Sequence, residues 1–197
     1  LGALRIMKEN FPGLELHAST QMTITSVYGA RMLKDFGCSR VVTSREMSLD
    51  EIRRVREEVD VEIESFVHGA LCYCYSGQCL MSSLIGGRSG NRGRCAQPCR
   101  LPYRVYEGQH GQGKPAVMNR ENEKYVLSLK DLCTLDILPD ILEAGVYSLK
   151  IEGRMKSPRY TAGVVSIYRK YADRYLDHGR EGYHVEPEDR KMLLDLF

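Results

Sequence analysis

A chain of 197 residues, 43% hydrophobic and 27% charged, can bury a substantial core as one large domain or two small ones. Its net charge of +2 lacks the strong basic excess that announces many nucleic-acid binders, so such a partner must be sought in local patches. No apolar stretch reaches the length of a membrane span, and the N-terminus lacks a basic-then-apolar leader, so a cytoplasmic protein with no membrane partner is expected.

In chain order, residues 3–10 read as the tail of a helix stopped by Pro12-Gly13. Leu1 is not an initiator methionine and the helix begins at once, so a fragment of a longer chain is expected. Residues 14–18 form a short predicted strand with His17, Ser19 and Gln21 at its C-terminal end. A helix over 23–36 follows, with Val27, Ala30 and Leu33 at helical spacing and Gly37 placed to close it. Residues 40–43 are the next strand. Ser48-Leu-Asp-Glu51 has the capping-box form and predicts a helix over 49–58. Residues 61–67 make the third strand. Strands and helices alternating through short links signal parallel β/α units, with strands side by side and buried on both faces.

Further along, residues 102–106 and 125–129 read as paired strands around the turn-rich GQHGQGKPAVMNREN at 108–122. A helix over 134–144 is closed by Gly145 and kinked or broken at Pro139. A strand over 147–151 precedes Ser157-Pro158, an N-cap with proline at the first position of a helix running to 176. The chain thus divides into β/α units at 1–70, a cysteine-rich segment with a basic glycine-rich loop and hairpin at 71–133, and final β/α units at 134–197. Alternation without a GxGxxG or Walker-type loop leaves an α/β barrel or an open sheet.

On the third strand, period two puts Glu62, Glu64, Phe66 and His68 on one side. Carboxylates pointing one way from a buried strand are costly unless paired or functional. Lys150, Glu152 and Arg154 share a face on the last strand, so the two sets form either a salt-bridge network or part of a site.

Five of the seven cysteines fall between residues 64 and 103, flanked by Gly, Ser, Gln, Arg and Pro. Packing does not call for such a bunch in loop sequence; loop cysteines are bridged or bound to metal. An odd total in a reducing compartment favours metal over a disulfide framework. Zinc would use Cys95 and Cys99 as one pair, but Cys72 and Cys79 are too widely spaced for a knuckle. Between Arg88 and Arg104 stand five arginines and no acid, which is either a phosphate-binding patch or a solvated loop.

FVHGALCYCYSGQCLMS at 66–82, with LHASTQ at 16–21, GRSGNRGRCAQPCRLPY at 87–103 and SLKIEGRMKSPRY at 148–160, resembles the U32 collagenase-like peptidase family. The resemblance spans most of the chain. It implies part of a TIM-like barrel carrying a cysteine-rich insertion, with sites at the C-terminal strand ends. It also implies a 4Fe–4S cluster, whose ligand pattern Cys72, Cys79, Cys95 and Cys133 match with six, fifteen and thirty-seven intervening residues. Cys99 competes for the fourth place, and Cys74 and Cys38 read as bystanders.

By the same resemblance the activity is RNA hydroxylation, of a tRNA wobble uridine or a 23S rRNA cytidine, with prephenate as a small-molecule requirement. Peptidase activity is the family's older label. It fits the residues poorly, because the Cys72 that would pair with His68 is already a ligand candidate. A non-enzymatic module stapled by a cluster or zinc is the third alternative. Catalytic candidates are Glu64, His68, His17, Lys150 and Arg154, with Gln21, Arg45, Glu46 and Glu152 also expected at the pocket. His17 has a plainer reading as a hydrogen-bonded support. Arg88, Arg92 and Arg94 would grip RNA phosphates, and Lys150 and Arg154 would hold a dicarboxylate such as prephenate.

Overall fold

The computed structural model describes residues 1–108, 116–154 and 156–196. Helix α1 (Gly2–Asn10) leads to strand β1 (Leu16–Ala18). The helix expected over 23–36 starts late, as α2 (Val27–Asp35), because Thr23 is left-handed at φ 55° and its hydroxyl donates to the Ser76 carbonyl at 3.0 Å. Ser26 takes the capping role instead. Strand β2 (Cys38–Val42) and helix α3 (Leu49–Glu58) follow. The predicted capping box of α3 is present: the Ser48 hydroxyl accepts from the Glu51 amide at 3.3 Å, and the Glu51 carboxylate accepts from the Ser48 amide at 2.7 Å.

Strand β3 (Glu62–Gly69) is the longest and most central. Beyond it the described backbone is mostly irregular, with helix α4 (Met81–Gly86), three 3-10 turns among the described residues and a short strand β4 (Leu132–Cys133). The expected pairing of 102–106 with 125–129 does not form. Tyr106 bridges Val117 instead, and the Tyr103 amide reaches the Lys124 carbonyl. Much of the predicted connecting turn, residues 109–115, lies outside the described residues.

Helix α5 (Leu138–Glu143) opens through a 3-10 turn at 135–137. Pro139 sits in its first turn, where a missing amide proton costs nothing, so no kink results. Strand β5 (Val146–Ile151) and the long helix α6 (Pro158–His178) then match their sequence signals. Helix α7 (Pro187–Asp195), which the sequence reading passed over, packs Leu193 into the core.

Strands β1, β2, β3 and β5 are parallel, with β5 paired to β3 (Ile63 opposite Val146, Phe66 opposite Lys150), whereas β4 joins antiparallel. Among the described residues the sheet does not close on itself. The core gathers Val41, Ile63 and Val67 of the sheet with Leu138 of α5 and Tyr160, Val164 and Tyr171 of α6. Burial on both faces, as expected of the strands, does not extend along β3. Ile63, Ser65 and Val67 are buried while Glu62, Glu64 and Phe66 stay partly open. The alternation breaks at a register shift between Phe66 and His68, which turns His68 into the interior.

Candidate active site

The C-terminal ends of the parallel strands open onto a cleft of about 550 Å³. Ser19 and Gln21 follow β1, Arg45 follows β2, Phe66 and Cys72 come from β3 and its exit, and Lys150, Glu152 and Arg154 come from β5. The loop bearing Gly90, Cys95, Cys99 and Arg100 forms the remaining wall. Such crevices are where parallel α/β sheets place their ligands, because the strand-to-helix loops converge there.

Side chains anchor this irregular wall. Ser76 is buried. Its amide donates to Glu46, its hydroxyl accepts from the Arg45 amide at 3.2 Å, and its carbonyl is held by Thr23. Glu46 therefore clamps the Cys72–Cys79 loop and does not line the cleft. Arg100 donates to the Leu71 carbonyl at 2.6 Å and to the Cys99 sulfur at 3.7 Å, fastening the second cysteine loop to the first. The Ser82 hydroxyl of α4 accepts from the Ala96 amide at 3.0 Å.

Apart from Cys38, which is buried in the core, the thiols divide into three groups. Cys72, Cys95 and Cys99 line the cleft together. The Cys72 thiol is pushed up from its ordinary pKa by desolvation, with Arg45 pulling it down and nearby Cys99 and Cys95 raising it again. Cys79 instead makes a side-chain contact with Cys74. Cys133 lies opposite His68 in the β3–β4 pairing and contacts the Tyr168 hydroxyl. Thus two of the four predicted ligands, Cys72 and Cys95, share the cleft, and Cys79 and Cys133 are not brought to it. Among the described residues no three His, Cys, Asp or Glu side chains converge tightly enough to hold a metal ion. The donor chemistry of the cleft suits an iron–sulfur centre in kind, and the convergence of four thiols is not formed.

Lys150 donates to Glu64 at 2.7 Å, Ser148 donates to the same carboxylate at 3.0 Å, and Arg40 stands 3.6 Å away. The salt-bridge alternative therefore holds for Glu64 and Lys150. Burial acts to raise the Glu64 pKa, but the hydrogen bonds from Lys150 and Ser148 and the charge of Arg40 outweigh it and hold it below the usual carboxylate value. A depressed folded-state pKa stabilises the fold above the unfolded carboxylate range, and that stability is lost as pH falls through the folded value. Glu64→Gln is expected to cost about 2 kcal/mol at neutral pH, because it leaves two cations facing a neutral amide. The deficit should shrink on acidification below about pH 4.5, a window that urea titrations at several pH values would expose.

Glu152 pairs with Arg45 at 3.5 Å, and the Arg45 guanidinium lies 3.8 Å from the centre of the Phe66 ring. Arg154 is exposed at the rim. His68 is fully buried between the rings of Tyr160 and Tyr168, 3.3 Å from the Tyr168 hydroxyl, and stays outside the cleft. His17 is an exposed residue 3.6 Å from Glu15, and it too lies off the cleft. Arg88, Arg92 and Arg94 are exposed on the loop that forms the cleft wall, with the Arg88 side chain donating to the Arg94 carbonyl. Sequence reading missed the structural part played by Arg100, although its place beside Cys99 in the arginine run was the available signal. It also gave Phe66 no role beyond its motif.

These features define the class: an α/β protein with a cleft at its C-terminal strand ends that sets thiols beside cations. The chain belongs to peptidase family U32, whose model matches residues 1–197. It is 45% identical over 164 residues to tRNA hydroxylation protein P1 of Bacillus subtilis, covering 83% of this chain and 39% of that protein. It is 42% identical over 172 residues to the 23S rRNA 5-hydroxycytidine C2501 synthase of Escherichia coli, covering 87% of this chain and 25% of that one. The collagenase of Porphyromonas gingivalis is 35% identical over 181 residues, covering 86% and 42% respectively. The chain thus spans from a quarter to about two fifths of the length of these relatives. No solved structure matches it. Among the described residues no helix is long and apolar enough to cross a membrane.

Proposed function

We propose that this chain carries the active-site cleft of a cytoplasmic RNA hydroxylase acting on tRNA or ribosomal RNA. The observation that carries the reading is the juxtaposition of Cys72, Cys95 and Cys99 with Arg45, Arg100, Lys150 and Arg154 around one cleft. Thiols in irregular backbone suit a redox centre, and a ring of cations suits a polyanion. The names of the Bacillus and Escherichia relatives support the same direction.

Four parallel strands with a shared C-terminal cleft support reading the sheet as part of a TIM-like barrel. Dependence on a 4Fe–4S cluster, with Cys72, Cys79, Cys95 and Cys133 as ligands and Cys99 as the competing one, belongs to the proposal on the strength of the family resemblance alone. In that setting Arg100 keeps the two cysteine loops together, and Glu46 fixes the first of them through Ser76. Lys150 and Arg154 would hold a small dicarboxylate such as prephenate, and Arg88, Arg92 and Arg94 would meet phosphates on the outer wall. Proteolysis by a Cys–His pair finds no support at the cleft, since no histidine lines it among the described residues.

Anaerobically purified protein is expected to contain iron and sulfide together, with Cys72→Ala and Cys95→Ala lowering both at least severalfold. Nucleosides from cells lacking the gene should be missing one hydroxylated pyrimidine, restored by the wild-type gene and not by the Cys95→Ala variant. An unchanged nucleoside profile in tRNA and rRNA would remove the RNA reading. Cleavage of a collagen-like peptide that survives Cys95→Ala would favour the peptidase label instead.

A further inference from the structure

Resting on the RNA reading above, we propose that Arg45, held over the Phe66 ring, is the platform on which an unstacked nucleobase lies in the cleft. The guanidinium carbon stands 3.8 Å from the ring centre, within contact distance for a cation over an aromatic face. The side chain is only 13% exposed, and the residue lines the cleft. Its position is set by the Phe66 ring below and by Glu152 at 3.5 Å along its edge.

Arg45 is an expensive way to fill this space. Its Nε is enclosed and has no hydrogen-bond partner, so the fold carries a desolvated donor that an apolar side chain of similar size would avoid. A ligand plane stacked on the guanidinium accounts for a charged, planar group at this point. Arginine faces are established stacking surfaces for splayed-out RNA bases. The groups around the platform suit the rest of a nucleotide. Gln21, Asn91 and Glu152 offer donors and acceptors to a base edge, and Arg100 offers charge to a phosphate. A cleft of about 550 Å³ is within the size range of small-ligand pockets.

The test compares two fluorescein-labelled RNA stem-loops in anisotropy titrations at one fixed salt concentration. One carries uridine at the loop apex and the other an abasic nucleotide there. Wild-type protein is expected to bind the uridine RNA on the order of tenfold more tightly than the abasic one. Arg45→Lys keeps the charge and removes the plane, so it should bring the uridine RNA close to the abasic affinity with an unchanged salt dependence. Phe66→Leu should also erode the difference by unseating the guanidinium. A purely structural role for Arg45 would weaken both RNAs alike. The wild-type comparison needs no variant, so a misfolded mutant does not protect the idea. Equal binding of the two RNAs by wild type, or full discrimination by Arg45→Lys, overturns the platform and leaves the RNA reading standing. Failure of wild type to bind either RNA removes both.

Discussion

Gly69→Ala is expected to lower the free energy of unfolding by about 3 kcal/mol or more, the sum of two costs that add at this position. Gly69 has φ +101°, a conformation L side chains rarely adopt. A methyl group there would also come 2.4 Å from the Glu152 carbonyl oxygen and 3.0 Å from the Tyr160 hydroxyl. Neither neighbour can give way cheaply. The Glu152 amide is bonded to the His68 carbonyl at 2.8 Å, and the Tyr160 hydroxyl donates to that same Glu152 carbonyl. Relief would therefore pull β5 away from β3 and displace Glu152 and Cys72 from the cleft. Gly87→Ala is the control, since Gly87 also has positive φ but nothing lies within 4 Å of its added methyl. That variant should cost only about 1 kcal/mol. Denaturant unfolding of both variants decides the point: equal losses would mean that the tight β3–β5 approach is not what selects glycine.

Stability should also fall by up to about 3 kcal/mol as pH drops from about 6.5 to about 4, through His68 alone. Burial lowers the His68 pKa from 6.5 to about 4, with Asp131 opposing the shift and Lys156 adding to it. The sign follows directly. The folded state keeps the ring neutral while the unfolded chain takes up a proton, so stability is full above the unfolded value and is lost as pH falls toward the folded one. This window lies above that of Glu64, whose contribution fades only below the carboxylate range. His68→Phe should flatten the slope between pH 6.5 and 4 whatever it does to absolute stability, which melts across that interval would register. An unchanged slope would place the acid sensitivity on another group.

These two residues also show how far reading the chain could go. The capping box at Ser48, the proline-led start of α6 and the spacing of hydrophobic residues along α2 are local signals, and the elements they announce are present. The start of α2 was misjudged because a contact from Ser76, fifty-three residues away, holds Thr23 in a left-handed conformation. His68 was assigned to the face of Glu64 by strict alternation. One register shift against β5 sends it into the interior instead, and no local pattern announces a bulge.

For the cleft, the residue types were legible and their arrangement was not. The sequence nominates Gln21, Arg45, Lys150, Glu152 and Arg154 as pocket residues, and all five line it. The same reading nominates His17, Glu46, Glu64 and His68, which do not. The cysteine spacings, the helix caps and the turn glycines are properties of neighbouring residues, so the sequence carries them without help from the fold. Which thiols meet, and which cation lies on which ring, depends on the path of residues 70–131. Among its described residues that stretch has few regular backbone hydrogen bonds and is steered by single long-range contacts such as Arg100 to Leu71 and Ser76 to Glu46. Contacts of that kind join residues about thirty positions apart, so only the tertiary fold brings their partners within reach.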